Sequence, residues 1–221
     1  MGLDMYLTKY PAYKDVSPKQ AVYISEYINW KNNPDAKKCT FKEWCGMDEI
    51  KINQDVWDFY EKNIETKYWA WDKEKRHPHQ SFFTEIAYWR KANMIHNWFV
   101  EHCQDGIDEC QPSYSVSKEQ LEELLNDCIT IRRGAKLIDD KIVKYKTIEK
   151  GEIVTKERMS KKVANHKLCE KLLPAQGGFF FGDTSYDEFY IEGIKDTIKQ
   201  LEQVLEETDF DKEVVFYQSS W

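Results

Sequence analysis

Glycine and proline are scarce, at 9 and 6 of 221 residues, which excludes a collagen-like or low-complexity chain. Long apolar runs are absent. None approaches the roughly 18 residues of a helical membrane span, and the mean hydropathy is −0.74. An integral helical membrane protein is therefore excluded. The six cysteines include no CxxC pair, too few for a disulfide scaffold in a chain of this length. Excess positive charge is missing: 32 basic side chains stand against 39 acidic ones, a formal charge of −7. That balance argues against generic binding to nucleic acid or to an anionic membrane, and leaves room for a local basic pocket. The first ten residues, MGLDMYLTKY, hold no apolar segment of a secretory signal and no Ser or Thr at position 6 for myristoylation. The expectation is a cytoplasmic chain with reduced thiols.

Signatures of known chemistry are also missing. There is no GxSxG, HExxH, GxGxxG or EF-hand loop. His102, Cys103 and Cys110 make at most half of a metal set, with no second half at ligand spacing. His77-Pro78-His79 lies in a charged connector and reads as solvated. No metal and no cofactor are expected.

Large rings are plentiful: 8 Trp, 13 Tyr and 11 Phe. They supply a substantial core and exclude disorder. Alternation of Leu3, Met5 and Leu7 predicts a strand ending before Pro11. Ser17-Pro18 opens a helix through about Lys31. Residues 35–50 read as irregular, 56–64 as a helix, and Tyr68, Trp69 and Trp71 as a short strand. Residues 81–103 contain no Gly or Pro and predict the longest helix, ended at Asp105-Gly106. Ser117 and Gln120 form a capping box for a helix carrying Leu121, Leu124, Cys128 and Ile131. Alternating segments around Lys150-Gly151 predict a β-hairpin over 141–158. A helix over 160–173, a strand at 179–181, a second capping box at Ser185 and Glu188 with a helix to about 207, and a last strand near 214–217 complete the reading. Together these give one α+β domain over 1–221, mostly helical. Its small antiparallel sheet joins the two terminal strands with 179–181, and the hairpin is an insertion.

Two segments concentrate polar chemistry. Projected on a helix, Glu85, Trp89, Arg90, Asn93, His96 and Asn97 fall within roughly 140° of arc. The opposite arc is apolar apart from Lys91. Such a stripe makes directional hydrogen bonds that, when buried, are met by protein, water or a ligand. One reading has these residues satisfying neighbouring loops; the other has them lining a pocket. Glu85 and His96 share a face but lie roughly 16 Å apart along the axis, so only a bridging ligand connects them. The second segment, 176–182, combines Gly177, Gly178 and Gly182 with Phe179, Phe180 and Phe181. It leads into a helix N-terminus, where free N–H groups favour anions. Asp183, Asp187 and Glu188 already compensate that end. Phe180 is available to stack on a ligand, and Tyr186 and Tyr190 form a rim.

The blocks MGLDMYL at 1–7, YWRKANMIHNWF at 88–99 and GFFFGDTSYDEFY at 178–190 resemble a family of uncharacterised bacteriophage and prophage proteins. They cover under a fifth of the chain. The resemblance implies a phage or bacterial cytosolic protein, without implying an activity, and makes the 141–158 hairpin an insertion relative to the family pattern.

Three functions follow as expectations. The first is a phage-type ligand-binding protein that holds or sequesters a small anionic, ring-bearing molecule such as a nucleotide, with a possible role against host defence. Its site would be Glu85, Trp89, Arg90, Asn93, His96, Asn97, Phe180, Tyr186 and Tyr190. The second is an enzyme using His96 and Glu85 as general acid and base, against which stands the lack of any nucleophile or metal cluster beside them. The third is an inhibitor that binds a host protein through exposed rings and the hairpin.

Overall fold

The computed structural model describes every residue except Met1, Pro34, Asp35, Trp69, Ala70, Trp71, His77, Gln111, Ser113 and Lys150, and Lys37 through its backbone alone. In chain order the elements are β1 (Asp4–Pro11), α1 (Pro18–Asn32), α2 (Phe41–Cys45), α3 (Gln54–Asn63), β2 (Glu65–Tyr68), β3 (Pro78–Ser81), β4 (Thr84–Arg90), α4 (Asn93–Cys103), β5 (Ser115–Val116), α5 (Lys118–Gly134), β6 (Leu137–Glu149), β7 (Glu152–Val163), α6 (Lys167–Leu172), α7 (Glu188–Glu207) and β8 (Glu213–Ser220). The chain has an α+β fold built on a four-stranded antiparallel sheet in the order β4-β1-β8-β5.

The sheet feeds a core from each face, because alternate residues of each strand point to opposite sides. Leu3, Met5 and Leu7 join Val215, Tyr217, Ala87 and Trp89 in one core, covered by α4, α5, α6 and α7. Tyr10 and Phe216 enter a second core with Ile24 and Ile28 of α1 and Val56 and Tyr60 of α3. Local signals fix the covering helices. Ser17 with Gln20, and Ser117 with Gln120, complete reciprocal capping boxes. Helix α7 buries Ile191, Ile194, Ile198 and Leu201 along one stripe.

Several expectations fail for tertiary reasons. The single helix predicted over 81–103 does not form; its first part is β4. Strand β1 needs a partner on that edge, and β4 supplies Trp89 opposite Met5 and Ala87 opposite Leu7. Burial in β4 alternates at Ala87, Tyr88, Trp89 and Arg90, a period-2 pattern that a helical projection hides. Lys91 then takes a left-handed conformation, φ 57°, and α4 starts two residues later. The predicted strand at 179–181 is a turn, with Phe181 N–H donating to Gly178 O at 3.2 Å, and it meets the sheet only where Leu3 N–H donates to Phe180 O. The strands that join the two terminal ones are β4 beside β1 and β5 beside β8. The predicted helix over 160–173 shrinks to α6, because β7 continues to Val163, whose N–H donates to Tyr186 O. The second capping box is not made. Asp187 caps α7 by accepting from the N–H groups of Phe189 and Tyr190, while Ser185 donates to Asp183 from both its N–H and its hydroxyl.

Other elements run longer than expected. Strand β1 continues through Pro11, and the hairpin spans 137–163 rather than 141–158. Lys150 of its turn lies outside the described residues, as do Trp69 and Trp71 of the expected strand at 68–71 and His77 of the connector. All six cysteines are free. Among the described residues no helix is long and apolar enough to cross a membrane.

Strand β1 is flanked on both sides, and Leu3, Met5 and Leu7 are fully buried. Met5→Ala is therefore expected to cost about 2–5 kcal/mol, and removal of residues 1–8 to leave the chain unfolded. Circular dichroism melts of the two variants check this; an unchanged midpoint in either would contradict the central placement of β1.

Candidate functional site

The β4–α4 junction is where sequence-predicted site residues converge. Arg90 ends β4, Lys91 makes the left-handed corner, and Asn93 and Met94 begin α4. Opposite them run Gly182, Asp183, Ser185 and Asp187, followed by Phe189 and Tyr190 of α7. Between the two walls lies a cleft of about 280 Å³.

The corner is held in three ways. Lys91 N–H donates to Leu3 O at 2.8 Å. Asn93, only 2% exposed, donates from Nδ2 to Phe181 O at 3.2 Å and Asp183 O at 2.9 Å, and its Oδ1 accepts from Gln176 N–H. One buried amide thus pins both ends of the glycine-rich loop to the start of α4. Gly182 (φ 94°) lies against the corner, where a Cβ would stand 3.3 Å from Lys91 Cβ, so only glycine fits there without strain.

The charges in the cleft are unevenly engaged. Asp187 is committed to capping α7, and Asp183 accepts two bonds from Ser185, which hold its carboxyl below the usual range. The cations are freer. Arg90 Nε approaches Asp4 Oδ1 at 3.9 Å with over half of its side chain exposed, and Lys91 makes no ion pair among the described residues. The start of α4 has neither a side-chain cap nor an acidic residue in its first turn, so its partial positive charge is uncompensated. Phe189 is 66% exposed at the rim, with the Arg158 guanidinium 5.4 Å from its ring centre.

Of the nine residues predicted for the site, Arg90, Asn93 and Tyr190 line this cleft. Tyr190 is buried, donating from its hydroxyl to Leu173 O. The other six lie elsewhere. Trp89 is in the core and donates from Nε1 to Thr197 Oγ1 at 3.1 Å. Tyr186 stacks on His166 and accepts from Ala175 N–H. Phe180 and Asn97 are half-buried outside the cleft, and Glu85 is exposed on β4. His96 is fully enclosed: Nδ1 lies 2.8 Å from the Tyr217 hydroxyl and Nε2 3.1 Å from Asp108 Oδ1. It ties α4 to β8 and to the loop after α4.

His96 packs on the face of the sheet that carries Tyr217, whereas Glu85 lies on the face that carries Tyr6, whose hydroxyl it helps to push up. The two do not share a substrate-sized space, so their expected acid–base partnership is not assembled. Among the described residues no group of three or more His, Cys, Asp or Glu side chains is placed to hold a metal ion.

Sequence reasoning missed Lys91, Phe189 and the role of Asp187. Lys91 had a signal: it was the single charge in an otherwise apolar arc. A projection that buries one lysine among apolar residues is evidence against that helix. Comparison with protein-family models, curated proteins and solved structures finds no match.

Burial pulls the His96 imidazole below its ordinary value of 6.5, against an opposing pull from Asp108. The unfolded chain then takes up this proton first as pH falls. The histidine's contribution is complete above 6.5, falls as pH drops through that value, and is fully lost once the folded group has titrated. Relative to His96→Gln, the wild type is expected to lose up to about 1.4 kcal/mol per pH unit in this window. Denaturant melts of both proteins between pH 7.5 and 5, a span set around the ordinary histidine value, check this; parallel profiles would contradict it.

Proposed function

We propose that the protein binds a small anionic, ring-bearing molecule of nucleotide type in the cleft between the β4–α4 junction and the start of α7, and holds it without converting it. The supporting observation is the pairing of two weakly engaged cations, Arg90 and Lys91, with the uncapped start of α4, beside an exposed ring. Guanidinium, ammonium and helix N–H groups grip phosphate or carboxylate oxygens, and Phe189 offers a stacking face. Binding is favoured over catalysis because His96, the one buried histidine among the described residues, is sealed and bonded at both nitrogens. The resemblance to phage and prophage proteins extends this reading to the capture of a host nucleotide signal.

Arg90 separates this reading from a purely structural one. Its ion pair is long and exposed, so Arg90→Ala should change stability by only about 0–1 kcal/mol. Loss of a charged hydrogen-bond donor should weaken ligand binding by about 1.5–3 kcal/mol. Calorimetric titration with a panel of mono-, di- and cyclic nucleotides, alongside denaturant melts, tests both halves. No binding by the wild type across the panel, together with no small molecule co-purifying by mass spectrometry, would overturn the proposal. A large loss of stability in Arg90→Ala would make the arginine structural.

Lys91 gives a second test. Its left-handed backbone costs roughly 1 kcal/mol, which Lys91→Gly relieves. That variant should be as stable as wild type or more so, within about 1 kcal/mol, yet bind the same nucleotide less tightly. Equal affinity in the two proteins would remove Lys91 from the site.

A further inference from the structure

Strands β6 and β7 form a two-stranded ribbon that pairs with no other strand of the sheet. The hydrogen bonds and ion pairs described between it and the body come from the lower half of β7: Arg158, midway along the strand, pairs with Glu188, Lys162 forms a backbone β-bridge with Asp187, and Val163 N–H donates to Tyr186 O. Beyond Arg158, toward the turn, both strand edges are open. An isolated two-stranded ribbon is marginal in water unless something covers a face.

The register decides which face is open. Ile148 pairs with Ile153, Lys146 with Thr155, Lys144 with Glu157 and Ile142 with Met159. These eight side chains share one face, and all are exposed. Ile148 and Ile153 are 73% exposed and Ile142 63%. The opposite face carries the half-buried Val143, Thr147, Val154 and Arg158. The open face therefore has an aliphatic pair at each end and a Lys144–Glu157 ion pair, 3.3 Å apart, between them.

We propose that this face is covered by the same face of a second copy, related by a two-fold axis along the ribbon. That rotation exchanges β6 with β7. Ile148 then lies over the second copy's Ile153, Ile142 over its Met159, and Lys144 over its Glu157. Apolar meets apolar or cation meets anion at these three positions, and Lys146 lies over the second copy's Thr155 hydroxyl, so the face opposes no like charges when it meets itself. A two-fold axis is also the commonest symmetry among oligomers. A polyanion is a poorer occupant, because the face holds two lysines and one glutamate. The contact is small beside the roughly 800 Å² per partner of a standard interface, so the dimer should dissociate on dilution.

Sedimentation velocity of the full chain over a concentration series is the first experiment. A reversible monomer–dimer equilibrium is expected, with a dissociation constant raised at least about tenfold in the double variant Ile148→Lys with Ile153→Lys. These side chains touch solvent, so circular dichroism melts should show the body unchanged. The second experiment fixes the geometry. Ile148→Cys protein mixed with Ile153→Cys protein should form an oxidised cross-link more readily than either variant alone or wild type. A monomer at every concentration, a dimer indifferent to the double lysine variant, or cross-linking no better in the mixture than in the separate proteins would each overturn the proposal. A monomeric chain that captures a different protein through the ribbon would also count against it.

Discussion

The constraint on which the molecule depends is the position of β1 between β4 and β8. A strand paired on both edges, with Met5 and Leu7 buried on one face and Tyr10 on the other, must satisfy two ladders and feed two cores. Leu3, Met5 and Leu7 do the second job on one side, and Tyr10, with its hydroxyl donating to Val16 O at 2.8 Å, does it on the other. The demand for a partner on the open edge of β1 turns residues 84–90 into a strand. Once they are a strand, the chain must reverse direction sharply to lay α4 back over the sheet. The left-handed Lys91 is that reversal. Lys91, an exposed cation of the cleft, thus stands where it does because the sheet required a corner there.

Buried polar side chains then convert this scaffold into fixed loops. Asn93 and His96 lie one turn apart on α4 and point to different partners. Asn93 holds the loop before α7 by three hydrogen bonds, and His96 holds β8 and the loop carrying Asp108 by two. Removing one member of such a network leaves its buried partners unsatisfied, at a cost of roughly 1–3 kcal/mol for each group. Both residues were expected to face either a pocket or neighbouring loops. Asn93 stands at the border between the two, because the loop it pins is a wall of the cleft.

The legible parts of the fold were those written in local chemistry. Ser17, Ser117 and Gln120 mark helix starts through their own hydrogen bonds and Pro18 through its fixed φ, and the stripe of α7 is a repeating pattern within one element. The alternation on both sides of Gly151 marked the ribbon, though its ends depend on where the body begins. The region 84–90 was illegible because seven residues that include Ile86, Tyr88 and Trp89 fit either period, and only β1 breaks the tie, whereas 93–103 is the helix that its pattern predicts. Ser185 illustrates a smaller version of the same problem. It has the spacing of a cap, but Asp187 lies closer to the first turn and Asp183 offers Ser185 a better acceptor. For the candidate site, the polar residue types were readable while their grouping was not. Trp89 and Arg90 are neighbours on a strand, so they point to opposite faces; the helical projection had placed them together.

The ribbon and the cleft meet at the start of α7. Asp187, which caps that helix and lines the cleft, also bridges to Lys162 of β7. Glu188, the next residue, pairs with Arg158, whose guanidinium also lies near the Phe189 ring. The base of the ribbon therefore bears on the wall opposite Arg90 and Lys91. The arrangement also explains why acidic residues crowd a helix start that faces a cationic corner. Asp187 caps α7 with its carboxylate and meets the ribbon through its backbone, while the Glu188 carboxylate is engaged by Arg158 of β7. The cations across the cleft have no such commitments, and the field between the two walls points from the corner toward α7. An anion entering the cleft would meet Arg90, Lys91 and the start of α4 on one side. On the other it would meet the carboxylates of Asp183 and Asp187, engaged by Ser185 and by the start of α7, and the ring of Phe189 beside Arg158.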